Sequence, residues 1–163
     1  MKEVQEAPAG ERRGRELERL YREQGPRMWR AVLAFAGDPE VASDAVAEAF
    51  AQALRRGGEI HDPERWLWRT VFKVASGELK ERGRHAVIGE GGSYEMEEPA
   101  RDLIAALGRL SPKQRASVVL HHAAGYPVKE IAAILGSTTA AVKVHLSRAR
   151  RRLRELLAEE DES

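Results

Sequence analysis

Cysteine is absent from the 163 residues, which excludes disulfides, thiolate metal sites and thiol nucleophiles together. That fits a reducing, cytoplasmic setting. Long apolar runs are also missing. The longest, Ala31 to Ala36, is far short of the roughly 18 residues a membrane span needs, and Met1 to Glu16 contains no apolar segment of the kind an export signal requires. No membrane insertion is expected. Strand signals are missing as well, because no segment alternates with period two and the β-branched residues are scattered through helical patterns. Phosphate-cradling glycine loops, nucleophile elbows and metal clusters are not found, so an enzyme is not expected, nor is a cofactor. His121 and His122 are adjacent on a helix and point about 100° apart, with no carboxylate at ligand spacing.

What is present is charge, 33% of residues against 42% hydrophobic, and it is unevenly distributed. Residues 1–82 hold 15 basic and 15 acidic side chains, residues 83–100 one against four, and residues 101–163 eleven against seven. Within Ser111 to Arg154 the count is nine to one, the electrostatic footprint of a phosphate-binding module.

The apolar spacing predicts an all-α chain of two small helical domains joined by a flexible acidic linker. Residues 1–15 read as a disordered N-terminus and residues 16–82 as the first domain. Its first helical stretch carries Leu17, Leu20, Tyr21, Met28, Val32 and Phe35, interrupted at Gly25-Pro26, which suggests two pieces or one kinked helix. Asp38-Pro39 opens a helix to about Arg56, Gly57-Gly58 ends it, and Asp62-Pro63 opens a third to about Arg82. Residues 83–100, with four glycines, four glutamates and no periodicity, read as the linker. Residues 101–158 form the second domain, and 159–163 an acidic tail. In the second domain Ser111-Pro112-Lys113-Gln114 is a capping box.

The stretch Val128 to Lys143 meets the requirements of a helix-turn-helix. Ala132 is small where helices cross, Ile131, Leu135, Val142 and Leu146 lock them, and Gly136 occupies the turn. Thr138 or Thr139 caps the second helix, which projects Lys143, Val144, Ser147 and Arg148 toward a major groove, with Arg150 and Arg151 following. In the first domain Trp66 is expected in the core. Trp68, two positions away, is placed on another face where, with Arg69, Lys73, Lys80 and Arg82, it meets DNA.

Leu110-Ser111-Pro112-Lys113-Gln114-Arg115, then Glu130-Ile131-Ala132 through Leu135-Gly136, then Val142-Lys143 and Ser147-Arg148-Ala149-Arg150 resembles region four of extracytoplasmic-function sigma factors. The front half resembles region two through Leu20-Tyr21, Gly37-Asp38, Asp44, Glu48, Phe50 and Trp66-Leu67. The resemblance implies a bacterial sigma factor that binds core RNA polymerase, through the β′ clamp helices and the β flap, and directs it to promoter DNA. An anti-sigma factor is an implied further partner. It also implies minus-thirty-five contacts by Thr138, Thr139, Ala140, Lys143, Val144, Ser147, Arg148, Arg150 and Arg151, and clamp contacts by Asp44, Ala47 and Glu48. A pocket for a flipped base of the minus-ten element would lie in the loop of Gly57, Gly58, Ile60 and His61. Departures from the family pattern are Ala47 in place of Gln, Lys73 and Gly77 in place of Asn and Asp, and Pro127 in place of a Ser cap. A stand-alone helix-turn-helix regulator is the alternative, which leaves the front domain unexplained.

Overall fold

The computed structural model describes residues 7–85 and 97–162. They form seven α-helices in chain order, and no strand occurs among the described residues.

Helix α1 (Ala9–Ala36) is continuous through Pro26. It buries Leu17 and Leu20 on one side of the proline and Met28, Val32 and Phe35 on the other. This packing on both sides holds the helix together although Pro26 supplies no N–H. The helix also starts at Ala9, inside the 1–15 segment expected to be disordered, of which residues 1–6 lie outside the described residues. Arg13 explains the difference, because its guanidinium donates to the Gly57 and Ile60 carbonyls and ties the first turns to the rest of the fold.

Gly37 at φ 70° ends α1, and the Asp38 side chain accepts from Glu40 N–H to open α2 (Pro39–Arg56) as its cap and proline imply. A single 3-10 turn (Gly57–Glu59) leads to α3 (Pro63–His85). Helices α1, α2 and α3 enclose the front core. On α3 the buried phase is Leu67, Trp68, Val71, Phe72 and Ala75, spaced i, i+4, i+8 with its i+1 neighbours.

Helix α3 runs three residues into the segment expected to be linker, and α4 (Glu98–Gly108) starts earlier than residue 101, with Pro99 in its first turn. The rest of that linker, residues 86–96, lies outside the described residues. Helix α5 (Pro112–Val118) begins at the expected capping box, with both Ser111 and Gln114 side chains engaged. It passes into a π-helical turn (Val119–Ala123) before Gly125 reverses the chain at φ 76°. Helices α6 (Val128–Leu135) and α7 (Thr139–Asp161) follow. Because α7 meets no glycine or proline after Gly136, it continues through most of the expected acidic tail.

The halves share one buried core. It includes Phe35, Trp68 and Phe72 from the front and Leu107, Leu110, Leu120 and Ile131 from the back. Arg115 reaches from α5 to donate to the Phe35 carbonyl at 2.9 Å, and Arg27 of α1 donates to the Ala124 carbonyl. The independent halves that the linker suggested are, in this structure, docked.

Candidate nucleic-acid interface

The back half presents a helix-turn-helix built from α6 and α7. Gly136 takes the left-handed conformation at φ 62°, where a side chain would be strained. Thr138 is the cap of α7, its Oγ1 accepting from Ala141 N–H at 3.1 Å. Pro127 gives α6 no side-chain cap. Glu130 in the first turn instead places a carboxylate near the positive end of the helix dipole.

Val142, Leu146 and Ala149 face the core at spacings of four and three, and this fixes the rotation of α7. The opposite face carries Lys143, Val144, Ser147, Arg148 and Arg151, all exposed, with Arg150 beside them. Thr138, Thr139 and Ala140 are exposed at its start. The residues expected to meet DNA in this half therefore share one solvent-facing surface. Val144 is 45% exposed, an apolar group on an otherwise basic helix that suits contact with a thymine methyl.

The front-half candidates are divided. Trp68, expected at a DNA face, is fully buried instead. Its ring stacks near Phe72 and meets Tyr126 of the back half edge-on, with centroids 5.4 Å apart. Trp66, expected in the core, is the half-buried one, with the Arg56 guanidinium over its ring at 5.8 Å. The two tryptophans exchange places because residue 68, not 66, falls in phase with Leu67, Val71, Phe72 and Ala75. Ile60 is likewise buried, whereas Gly58 and His61 are exposed and Gly57 is partly so. Arg69, Lys73 and Lys80 are exposed. Arg82 is engaged within the front half, pairing with Asp38 and, at 3.7 Å, with Glu40.

Asp44 and Ala47 are exposed on the outer face of α2, and Glu48 is partly so. Glu48 accepts from Gln52 at 2.8 Å and Arg55 at 3.1 Å, bonds that hold its carboxyl below the usual range. Ala47 also lines a groove of about 610 Å3 between α1 and α2, floored by Gly25, Pro26 and Val46 and walled by Tyr21 and Trp29. The part of Tyr21 in this groove was not legible in the sequence, where it read as an apolar position at helical spacing, and Trp29 was not singled out there.

A second cleft, of about 800 Å3, opens between α3 and the helix-turn-helix. Arg56, Trp66, Arg69 and Lys73 line it from the front, Lys113 and His145 from the back, and no carboxylate does. No group of carboxylates and imidazoles suited to a metal occurs among the described residues. His121 Nδ1 is engaged with the Tyr126 carbonyl at 3.0 Å. Burial, with His121 and Arg150 nearby, holds His122 below the usual histidine range.

Residues 100–153 match the family model of sigma-70 region 4. The chain is 30% identical over 156 residues to the ECF RNA polymerase sigma factor SigE of Mycolicibacterium smegmatis, covering 85% of this chain and 60% of that protein. It is 30% identical over 138 residues to the probable ECF RNA polymerase sigma factor SigI of Mycobacterium tuberculosis, covering 73% and 48%. The chain thus spans about half to three-fifths of the length of these relatives. Among solved structures, the sigma factor RpoE of Bartonella quintana, in complex with the anti-sigma factor NepR, superposes with a TM-score of 0.73 at 23% identity, over 88% of this chain and 98% of that one. CnrH, in complex with the cytosolic domain of CnrY, gives the same score and identity over 93% of each chain. At that identity these two likenesses speak for the fold.

Proposed function

Since the chain belongs to the extracytoplasmic-function sigma factors, we propose that it serves as a promoter-specificity subunit of RNA polymerase in the cytoplasm, with no catalysis of its own. The single observation that carries this reading is the α7 surface. Lys143, Val144, Ser147, Arg148 and Arg151 are exposed together on a helix whose opposite face is locked by Val142, Leu146 and Ala149.

Such a helix fits a major groove, with basic groups reaching phosphates or guanine edges and Val144 available to a methyl group. The front half supplies what a stand-alone regulator lacks, a second surface for a protein partner. There Asp44 and Glu48 are exposed and partly exposed on α2, the helix whose Ala47 lines a groove with Tyr21 and Trp29. We assign that surface to the β′ clamp helices of core polymerase and α7 to the minus-thirty-five element. An anti-sigma factor is the inhibitor proposed for these surfaces.

Copurification with core RNA polymerase, followed by run-off transcription over a promoter library, tests the assignment. Replacing Asp44 and Glu48 together by Lys should weaken core binding by reversing charge at the contact. Affinity for core enzyme unchanged in that variant would remove these residues from the interface. Sequence-specific DNA binding with no affinity for polymerase would favour the stand-alone regulator.

A further inference from the structure

We propose that the cleft between α3 and the helix-turn-helix is a binding site for a free nucleotide bearing two or more phosphates, a ligand separate from promoter DNA. The proposal goes beyond the sigma-factor reading and rests on the lining of the cleft alone.

The charges point to an anion. Arg56 at the end of α2, Arg69 and Lys73 one turn apart on α3, and Lys113 at the start of α5 line the cleft with His145 of α7, and no carboxylate joins them. Four helices thus bring basic side chains to one concavity, whereas a merely solvated basic face belongs to a single helix. Arg56, Arg69, Lys73 and Lys113 form no ion pair among the described residues, although Arg13, Arg55, Arg65 and Arg82 of the front half each reach a carboxylate. Like charges gathered around a cleft raise the local positive potential and favour a multiply charged anion. Arginine forks and lysine ammonium groups are the side chains that hold phosphate oxygens. Gly136 and Ser137 also line the cleft, just before α7, where the positive end of the helix dipole lies. A Cβ on Gly136 would come within 3.1 Å of Arg69 Nη2, so the glycine lets that guanidinium sit against the start of the helix.

Trp66 supplies the place for a base. Its ring is half-buried in the cleft wall, with the Arg56 guanidinium 5.8 Å from the ring centroid. An indole face and a guanidinium plane are both surfaces on which nucleobases stack. Phe72 and Leu135 add apolar lining, which inorganic phosphate alone would leave uncovered and a base would cover. The volume of about 800 Å3 lies within the range of small-molecule sites. A nucleotide therefore matches the cleft in charge, in its planar apolar part and in size.

Isothermal titration of the full-length chain with ATP, free of divalent cations, tests the site. ATP should bind saturably with a dissociation constant below about 1 mM. Inorganic triphosphate, which lacks the stacking base, should bind about tenfold more weakly, and adenosine more weakly still. Lys73→Ala with Lys113→Ala changes exposed side chains and should weaken ATP binding about tenfold or more as charge-assisted bonds are lost. Arg109→Ala with Lys129→Ala removes the same charge from exposed positions outside the cleft and should leave ATP binding unchanged. Trp66→Leu should weaken ATP and leave inorganic triphosphate as it was. Should that variant unfold, the difference between ATP and triphosphate on the unmodified chain still judges the base. No saturable ATP binding, an equal loss in both double variants, or triphosphate bound as tightly as ATP would overturn the proposal. A short thymidylate oligonucleotide that binds through Lys73 and Lys113 where ATP does not would also overturn it, because the cleft would then serve nucleic acid.

Discussion

Arg148 is exposed in the middle of the α7 face, one turn beyond Val144, and on the proposed reading it would meet a guanine edge or a phosphate. Its replacement by Ala should lower promoter affinity by about 1 to 3 kcal/mol if it reads a base, with specificity relaxed at one position. A phosphate role would weaken all promoters alike and lessen the salt dependence. Binding over a promoter panel at two salt concentrations separates these outcomes. Glu78, on α3, has a different function in the fold. Burial raises its carboxyl above the ordinary 4.5, and Asp44, Asp38 and Glu81 add to that against the pull of Arg82. Between the unfolded and the folded pKa the folded chain holds more proton there than the unfolded chain, so stability falls as pH rises from the ordinary carboxylate value through the folded one. Glu78→Gln should be more stable than the parent at neutral pH, with the difference vanishing below that window. Urea unfolding at pH 7 and pH 3.5 measures it, and an equal difference at both would show that Glu78 does not titrate in this way.

Each helix of the back half has a recognisable start, whether a side-chain cap, a proline or an acidic first turn, and the turns before α6 and α7 are built on Gly125 and Gly136. Gly136 is the position where element and site coincide, because its φ of 62° sets the angle between α6 and α7 and the Arg69 guanidinium lies above it. Gly136→Ala should cost about 1 to 2 kcal/mol from the left-handed conformation alone, and more from the crowding of Arg69. Thermal unfolding would register the loss. DNA binding at a temperature where the variant remains folded would show whether α7 has moved. A variant as stable as the parent would mean that this turn relaxes to another conformation. The capping box, the Asp38 cap and the glycine turns were all legible from residue identity, because they depend on neighbours within four positions. The unbroken passage of α1 through Pro26 was not legible, since it rests on packing against helices remote in sequence.

At the scale of the molecule, Arg115 joins the halves. Its guanidinium donates to carbonyls of Phe35, Gly108 and Leu110 at 2.9, 3.3 and 3.2 Å and lies over the Phe35 ring at 5.2 Å. Burial lowers its pKa from the usual arginine range, although it stays a cation. Arg115→Met keeps the apolar stem but strands those carbonyls, and should cost about 1 to 3 kcal/mol. The parent, with one core running through both halves, should unfold in a single transition by fluorescence and circular dichroism alike. The variant should separate into two transitions. A single unchanged transition in Arg115→Met would show that the apolar contacts join the halves without it.

The sequence by itself determined the all-α class, most helix starts, the helix-turn-helix and its outward face. These follow from periodicity and capping, which act over one or two helical turns. The placement of Lys143, Val144, Ser147 and Arg148 opposite Val142 and Leu146 needs only the 3.6-residue repeat. The register of α3 was also present in the sequence, since Trp68 stands four before Phe72 and three before Val71, but the aromatic pair at 66 and 68 suggested the wrong member for the core. Only the tertiary structure decided that Tyr126 meets Trp68, that Glu130 pairs with Arg65 across 65 residues, and that the α1 and α2 groove gathers Tyr21, Trp29 and Ala47. Such contacts depend on the relative placement of whole helices. That placement arises from the summed burial of many side chains, and no local spacing encodes it.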